Sequence, residues 1–117
     1  MEGLKNYERE ERPWGHFERF TNNETTTVKI LTINAGESLS LQTHERRDEF
    51  GRVIKGAGTI RIGEKEIDVN VGATFFIPRC VAHRAIAGSE GLTFLEIAFG
   101  DFDENDEKRL EDHYGRT

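Results

Sequence analysis

The strongest constraint on this chain is its punctuation. Turn-forming residues recur at short intervals: Asn22-Asn23, Ala35-Gly36-Glu37, Gly56-Ala57-Gly58, Gly63-Glu64-Lys65, Val71-Gly72-Ala73, Gly88-Ser89-Glu90-Gly91 and Gly100-Asp101. Between them lie short segments rich in Val, Ile, Thr and Phe, at residues 28–33, 53–54, 59–62, 67–69, 74–77 and 92–99. Such side chains fit a half-buried pleated surface, and many short strands between regular turns predict an all-β sandwich or barrel. Helical patterning enters only near the end. Asp103 can cap a helix, Glu104, Asp106 and Glu107 put negative charge in its first turns, and Lys108 and Arg109 follow, with Gly115 able to close it. This predicts one short helix over residues 103–113.

A length of 117 residues suits one domain with a core of its own. Residues 1–117 are therefore read as a single domain whose first ten residues form a flexible or partner-docked tail. Sixteen basic against 22 acidic side chains give a net charge of −6. With no basic stripe, a nucleic-acid partner is not expected. The single cysteine, Cys80, precludes an intrachain disulfide or a thiolate zinc site. The charged N-terminus does not read as a signal peptide, and no apolar run reaches the length of a membrane span, so no membrane partner is expected. A reducing cytoplasm is the expected compartment.

Two spacings carry chemistry. After Gly36 come Gln42, then His44 after one residue, Glu49 after four more and Gly56 after a further six. After Gly72 come Pro78, Cys80 and His83. Residues two apart on a strand share a face, so Gln42 and His44 project together. If the clusters lie on facing strands, Gln42, His44, Glu49 and His83 converge on one divalent metal ion. Two imidazoles, a carboxylate and an amide suit zinc first, with manganese, iron, cobalt or nickel as alternatives.

The spacings match the two motifs of the cupin family, with Gln42 at a position where many cupins carry histidine and Cys80 where glycine is usual. More specifically, the chain resembles the C-terminal cupin domain of type II phosphomannose isomerases, the domain fused to mannose-1-phosphate guanylyltransferase in bifunctional enzymes. The likeness rests on Arg12-Pro13-Trp14-Gly15, Val28-Lys29, Leu39-Ser40-Leu41-Gln42 with His44, Arg47 and Glu49, then Ile77-Pro78, His83-Arg84, and Glu111-Asp112-His113-Tyr114-Gly115-Arg116. It covers about residues 11 to 116 and lacks the nucleotidyltransferase half. The chain departs from that family at Glu45 and Arg46, within the usual histidine run, and at Phe50-Gly51, in place of a His-Trp pair.

The resemblance implies a cupin barrel, a double-stranded β-helix or jelly roll. It also implies a metal-dependent isomerisation of mannose 6-phosphate to fructose 6-phosphate by enediol-type proton transfer. Counting in phase from Glu49 points Lys55 inward as a candidate base, and counting from His44 points Arg46 inward. Arg116 is the second catalytic candidate, and Arg12, Arg46 and Arg84 are candidates for binding the substrate phosphate, as is Arg47. Trp14 reads as core or interface packing, Cys80 as a small buried filler, and His16 and His113 as exposed. A homodimer is expected through the N-terminal strands. Another metal-dependent cupin enzyme, or a non-catalytic sugar- or effector-binding cupin, is the alternative.

Overall fold

A computed structural model describes residues 1–112. Those residues form nine strands and no helix. They are β1 (Glu8–Arg12), β2 (Gly15–Arg19), β3 (Thr26–Ile33), β4 (Leu41–Thr43), β5 (Arg47–Ile62), β6 (Lys65–Asn70), β7 (Thr74–Ile77), β8 (His83–Gly100) and β9 (Lys108–Glu111). Thus no helix among them is long and apolar enough to cross a membrane.

Two long strands organise the fold. β5 and β8 pair antiparallel from Arg47↔Gly100 to Ile62↔His83. β6 and β7 add to β5, while β3 and β4 add to β8. The clusters Gly56-Ala57-Gly58 and Gly88 to Gly91 read as turns in the sequence, but they lie inside β5 and β8. The ladder shifts register there, between Gly56 and Gly58, and earlier between Val53 and Lys55. Glycine inside a strand marks a bulge or a close backbone approach. At Gly56, with φ of 79°, a Cβ would collide with the carbonyl oxygen of Gly91.

Period-2 alternation along β8 builds two cores. Leu92 and Phe94 face inward with Ile33, Val53, Ile60, Phe75 and Ile77. Leu95, Ile97 and Phe99 face the other side, where Leu4, Phe20, Phe50 and Phe76 cover them. Of the first ten residues Leu4 is buried against this chain's own core, and β1 pairs with β2 as a separate hairpin. Glu18 of that hairpin accepts hydrogen bonds from Tyr7 and, across to β5, from Arg52. Trp14, expected to pack in the core or at an interface, is not in the core: it is 72% exposed at the hairpin tip.

The helix expected over residues 103–113 is not formed in its described part, and residue 113 lies outside the described residues. The capping signal is real but closes a single turn, with the Asp106 N–H donating to the Asp103 carbonyl. Leu110 is the only apolar residue from 103 to 112, so a helix there has no apolar face to bury. Residues 108–111 instead pair with β4, matching Gln42↔Arg109 and Thr43↔Lys108.

Candidate metal centre

The barrel interior contains one polar island. Gln42 lies on β4, His44 just beyond it, Glu49 on β5 and His83 at the start of β8, opposite Gln42. All four are buried and line one cavity of about 60 Å³. Ligand atoms of His44, Glu49 and His83 lie within 4.8 Å of one another. Nε2 of His44 is 3.5 Å and Nε2 of His83 is 3.3 Å from Oε1 of Glu49.

Both imidazoles are oriented from behind. Nδ1 of His44 donates to the Asp106 carbonyl at 2.7 Å, and Nδ1 of His83 to the Val81 carbonyl at 2.9 Å. A carbonyl can only accept, so Nδ1 carries the proton and Nε2 is the inward lone pair of each neutral ring. Burial holds His44 below the ordinary imidazole value, favouring that neutral form. Gln42 Oε1 is buried with no hydrogen-bond partner. An orphaned buried acceptor is costly, and an amide oxygen is a competent ligand for a divalent cation. On these grounds the four residues fit a metal ion.

Two further groups shape the site. Arg47, 3% exposed, donates through Nε to Glu49 Oε2 at 3.2 Å and through Nη1 to the Asp103 carbonyl at 3.1 Å. Its Nη2 sits 3.4 Å from His44 Nε2. Glu96 is buried and lines the same cavity. Burial and the negative charge of Glu49 push the Glu96 carboxyl well up, so it keeps its proton near neutrality and donates to Glu49. Burial alone would raise Glu49, but its carboxyl is held well down, and hydrogen bonds from Arg47 and from protonated Glu96 favour its ionised form.

The sequence candidates separate in space. Arg84 is buried and lines the cavity. Lys55 is exposed and does not line it, because the bulge between Val53 and Lys55 inserts Ile54 and turns the inward phase outward. Arg46 is exposed in the bend before β5, where strand phase does not apply, and pairs with Asp103 at 3.4 Å. Arg12 is exposed on the hairpin, bonded to Glu10 and lying over Phe17. Arg116 and His113 lie outside the described residues. Cys80 is exposed, not buried, with φ of 68°.

Sequence reading missed Glu96 and gave Lys29 no role, though both line the cavity. The signal for Glu96 was a lone acid in the apolar run 92–99, in phase with Leu92 and Phe94.

Comparison with known proteins agrees with this architecture. Residues 2–112 match the family described as mannose-6-phosphate isomerase C-terminal. The xanthan biosynthesis protein XanB of Xanthomonas campestris is 34% identical over 108 residues, covering 91% of this chain and 23% of its own. The alginate biosynthesis protein AlgA of Pseudomonas aeruginosa is also 34% identical, covering 91% of this chain and 22% of its own. The chain thus spans under a quarter of these relatives' length. Among solved structures, a cupin 2 conserved barrel domain protein from Rhodopseudomonas palustris superposes with a TM-score of 0.67 at 22% identity, over 76% of this chain and 60% of that one. The fold is a cupin barrel.

Proposed function

Because the chain belongs to the mannose-6-phosphate isomerase C-terminal family, we propose that it is a metal-dependent aldose–ketose isomerase domain interconverting mannose 6-phosphate and fructose 6-phosphate. The observation that carries this reading is the convergence of Gln42, His44, Glu49 and His83 on one cavity with both imidazoles anchored through Nδ1. These four would hold the ion, zinc first and manganese, iron, cobalt or nickel as alternatives. When bound, it would act as a Lewis acid toward the oxygens on C1 and C2 of the sugar.

The chain's own residues would do the rest. In the forward direction a proton leaves C2 and returns to C1, while the hydroxyl proton on O2 passes to O1. Glu96, buried beside Glu49 in the same cavity, would take the C2 proton in its ionised form, after giving up its own proton, and return it to C1. Arg47 orients Glu49 and His44, with its remaining bond to the Asp103 carbonyl. Arg84 supplies positive charge at the cavity wall for the phosphate.

Metal analysis of the purified chain, followed by a coupled assay for fructose 6-phosphate formed from mannose 6-phosphate, tests the reading. Bound metal with no turnover across several phosphosugars overturns it.

One observation favours a second reading, a non-catalytic cupin that binds a smaller effector. The cavity of about 60 Å³ is much smaller than a hexose phosphate. A homodimer in the cytoplasm completes the proposal. β3 turns Val28 and Ile30 outward at 56% and 63% exposure, an apolar strip that a second copy could cover. A monomer by light scattering refutes the dimer.

A further inference from the structure

β3 is inverted with respect to burial. Its apolar Val28 and Ile30 face water, while Lys29 shares the inward phase of Leu31 and Ile33. Lys29 lies opposite Glu96 in the β3–β8 ladder and lines the cavity, as does Arg84 on β8. A strand that turns a lysine inward and leaves two aliphatic side chains outside forgoes hydrophobic stabilisation, so the lysine needs a reason to be there.

Of the three cations that line the cavity, Arg47 is spent on Glu49, and the other two, Lys29 and Arg84, are met by carboxylates of one segment, residues 101–111. Nζ of Lys29 pairs with Glu104 at 3.2 Å and lies 4.7 Å from the centre of the Phe102 ring. Arg84 pairs through Nη1 with Glu111 at 3.2 Å. In each pair the cation is the more enclosed member. The side chains of Lys29 and Arg84 are 33% and 9% exposed, those of Glu104 and Glu111 72% and 62%. Exposed carboxylates hold such cations weakly and are readily exchanged for another anion. Arg84 is also held from outside that segment, through Nε on the Leu39 carbonyl, so losing the Glu111 carboxylate leaves its guanidinium aimed.

We propose that Lys29 and Arg84 form an anion site at the cavity wall for the phosphate of a phosphorylated ligand, and that Glu104 and Glu111 occupy it as built-in competitors until that ligand arrives. This rests on the phosphosugar reading above and adds to it a phosphate-binding lysine and an intramolecular competitor. It also accounts for the small cavity: Glu107 of the same segment forms part of its wall. A hexose phosphate enters only by shifting the segment, and displacing the two carboxylates accompanies that shift.

Calorimetric titration of the full chain with inorganic phosphate, apart from any turnover, provides the test. The double variant E104Q/E111Q is expected to bind phosphate about fivefold more tightly than the wild type, the scale of breaking one or two exposed ion pairs. Lys29→Met is expected to weaken binding about tenfold or more, and Lys29→Gln likewise, which guards against a packing effect of one replacement. The variant E64Q/E66Q removes the same charge from exposed positions at the β5–β6 turn and is expected to leave affinity unchanged. Equal affinity of E104Q/E111Q and wild type overturns the competitor role, as does equal tightening in E64Q/E66Q. Unchanged affinity in both Lys29 variants overturns the anion site. If the phosphate results come out as expected while no phosphosugar is turned over, the anion site stands and the isomerase reading falls.

Discussion

The backbone carbonyl of Asp106 accepts a hydrogen bond from Nδ1 of His44 at 2.7 Å, across 62 positions of sequence. That contact ties the C-terminal segment to the orientation of a candidate ligand. The carbonyl is itself held, because the Asp106 carboxylate receives the N–H groups of Glu45 and Arg46 at 3.0 Å each. Asp106→Ala removes that hold without touching the ring. It is expected to weaken metal binding roughly 10- to 100-fold, the usual scale for groups that orient ligands, with the barrel still folded. Competition with a chromophoric chelator reads the affinity, and an unchanged value would show that the ring needs no such support.

The quartet itself makes a graded prediction. His44→Ala and His83→Ala are each expected to abolish stoichiometric metal in the purified protein. Gln42→Ala is expected to weaken it less, because a neutral amide is the poorest donor of the four. Elemental analysis after dialysis measures all three. Full metal content in both histidine variants would sink the site.

Glu96→Gln separates proton transfer from metal binding. The replacement keeps shape and polarity but cannot exchange a proton, so kcat is expected to fall by about 10²- to 10⁴-fold with metal content retained. Wild-type turnover in this variant would remove Glu96 from the mechanism.

The hairpin's attachment depends on pH. The hydrogen bond from Tyr7, then that from Arg52, holds Glu18 below its ordinary value of 4.5. A lowered folded-state value means that the stabilisation is complete above pH 4.5 and is lost as pH falls through the lower value. Glu18→Gln is expected to cost about 1 kcal/mol at pH 7 and progressively less below pH 4. Thermal melts of both proteins across that range give the comparison, and a gap independent of pH would contradict it.

Cys80 sits at φ of 68°, where an L side chain is strained, and its N–H donates to the His44 carbonyl at 2.6 Å. Cys80→Gly relieves the side-chain strain at the cost of more backbone freedom in the unfolded chain. The balance is expected to raise stability by up to about 1 kcal/mol, whereas Cys80→Val, β-branched, is expected to lower it. Denaturant melts decide the order of the three.

Period-2 alternation and turn chemistry made the strands legible, and two spacings made Gln42, His44, Glu49 and His83 legible as a group. What failed depends on breaks in that period. Lys55 was placed by counting through Val53, and one inserted residue, Ile54, turned it outward. Two glycine clusters resemble turns whether the chain reverses or merely crosses close to itself, so β5 and β8 read as shorter pieces than they are. The segment 103–112 carried true capping residues, but the pairing needs of the β4 edge, invisible in local sequence, made part of it a strand. Arg47 and Arg84 look alike in sequence. Only the packing shows that one is spent on Glu49 and the other faces an exposed carboxylate.

The close passage of Gly56 against the Gly91 carbonyl has a consequence for traffic. Two backbones with no side chain between them leave no tunnel at that crossing, and Val53, Leu92 and Phe94 pack the interior nearby. On the proposed reading, an ion or a sugar phosphate would reach the cavity from the end walled by Glu107. One mouth for ion and sugar would make loading ordered, with the ion entering first.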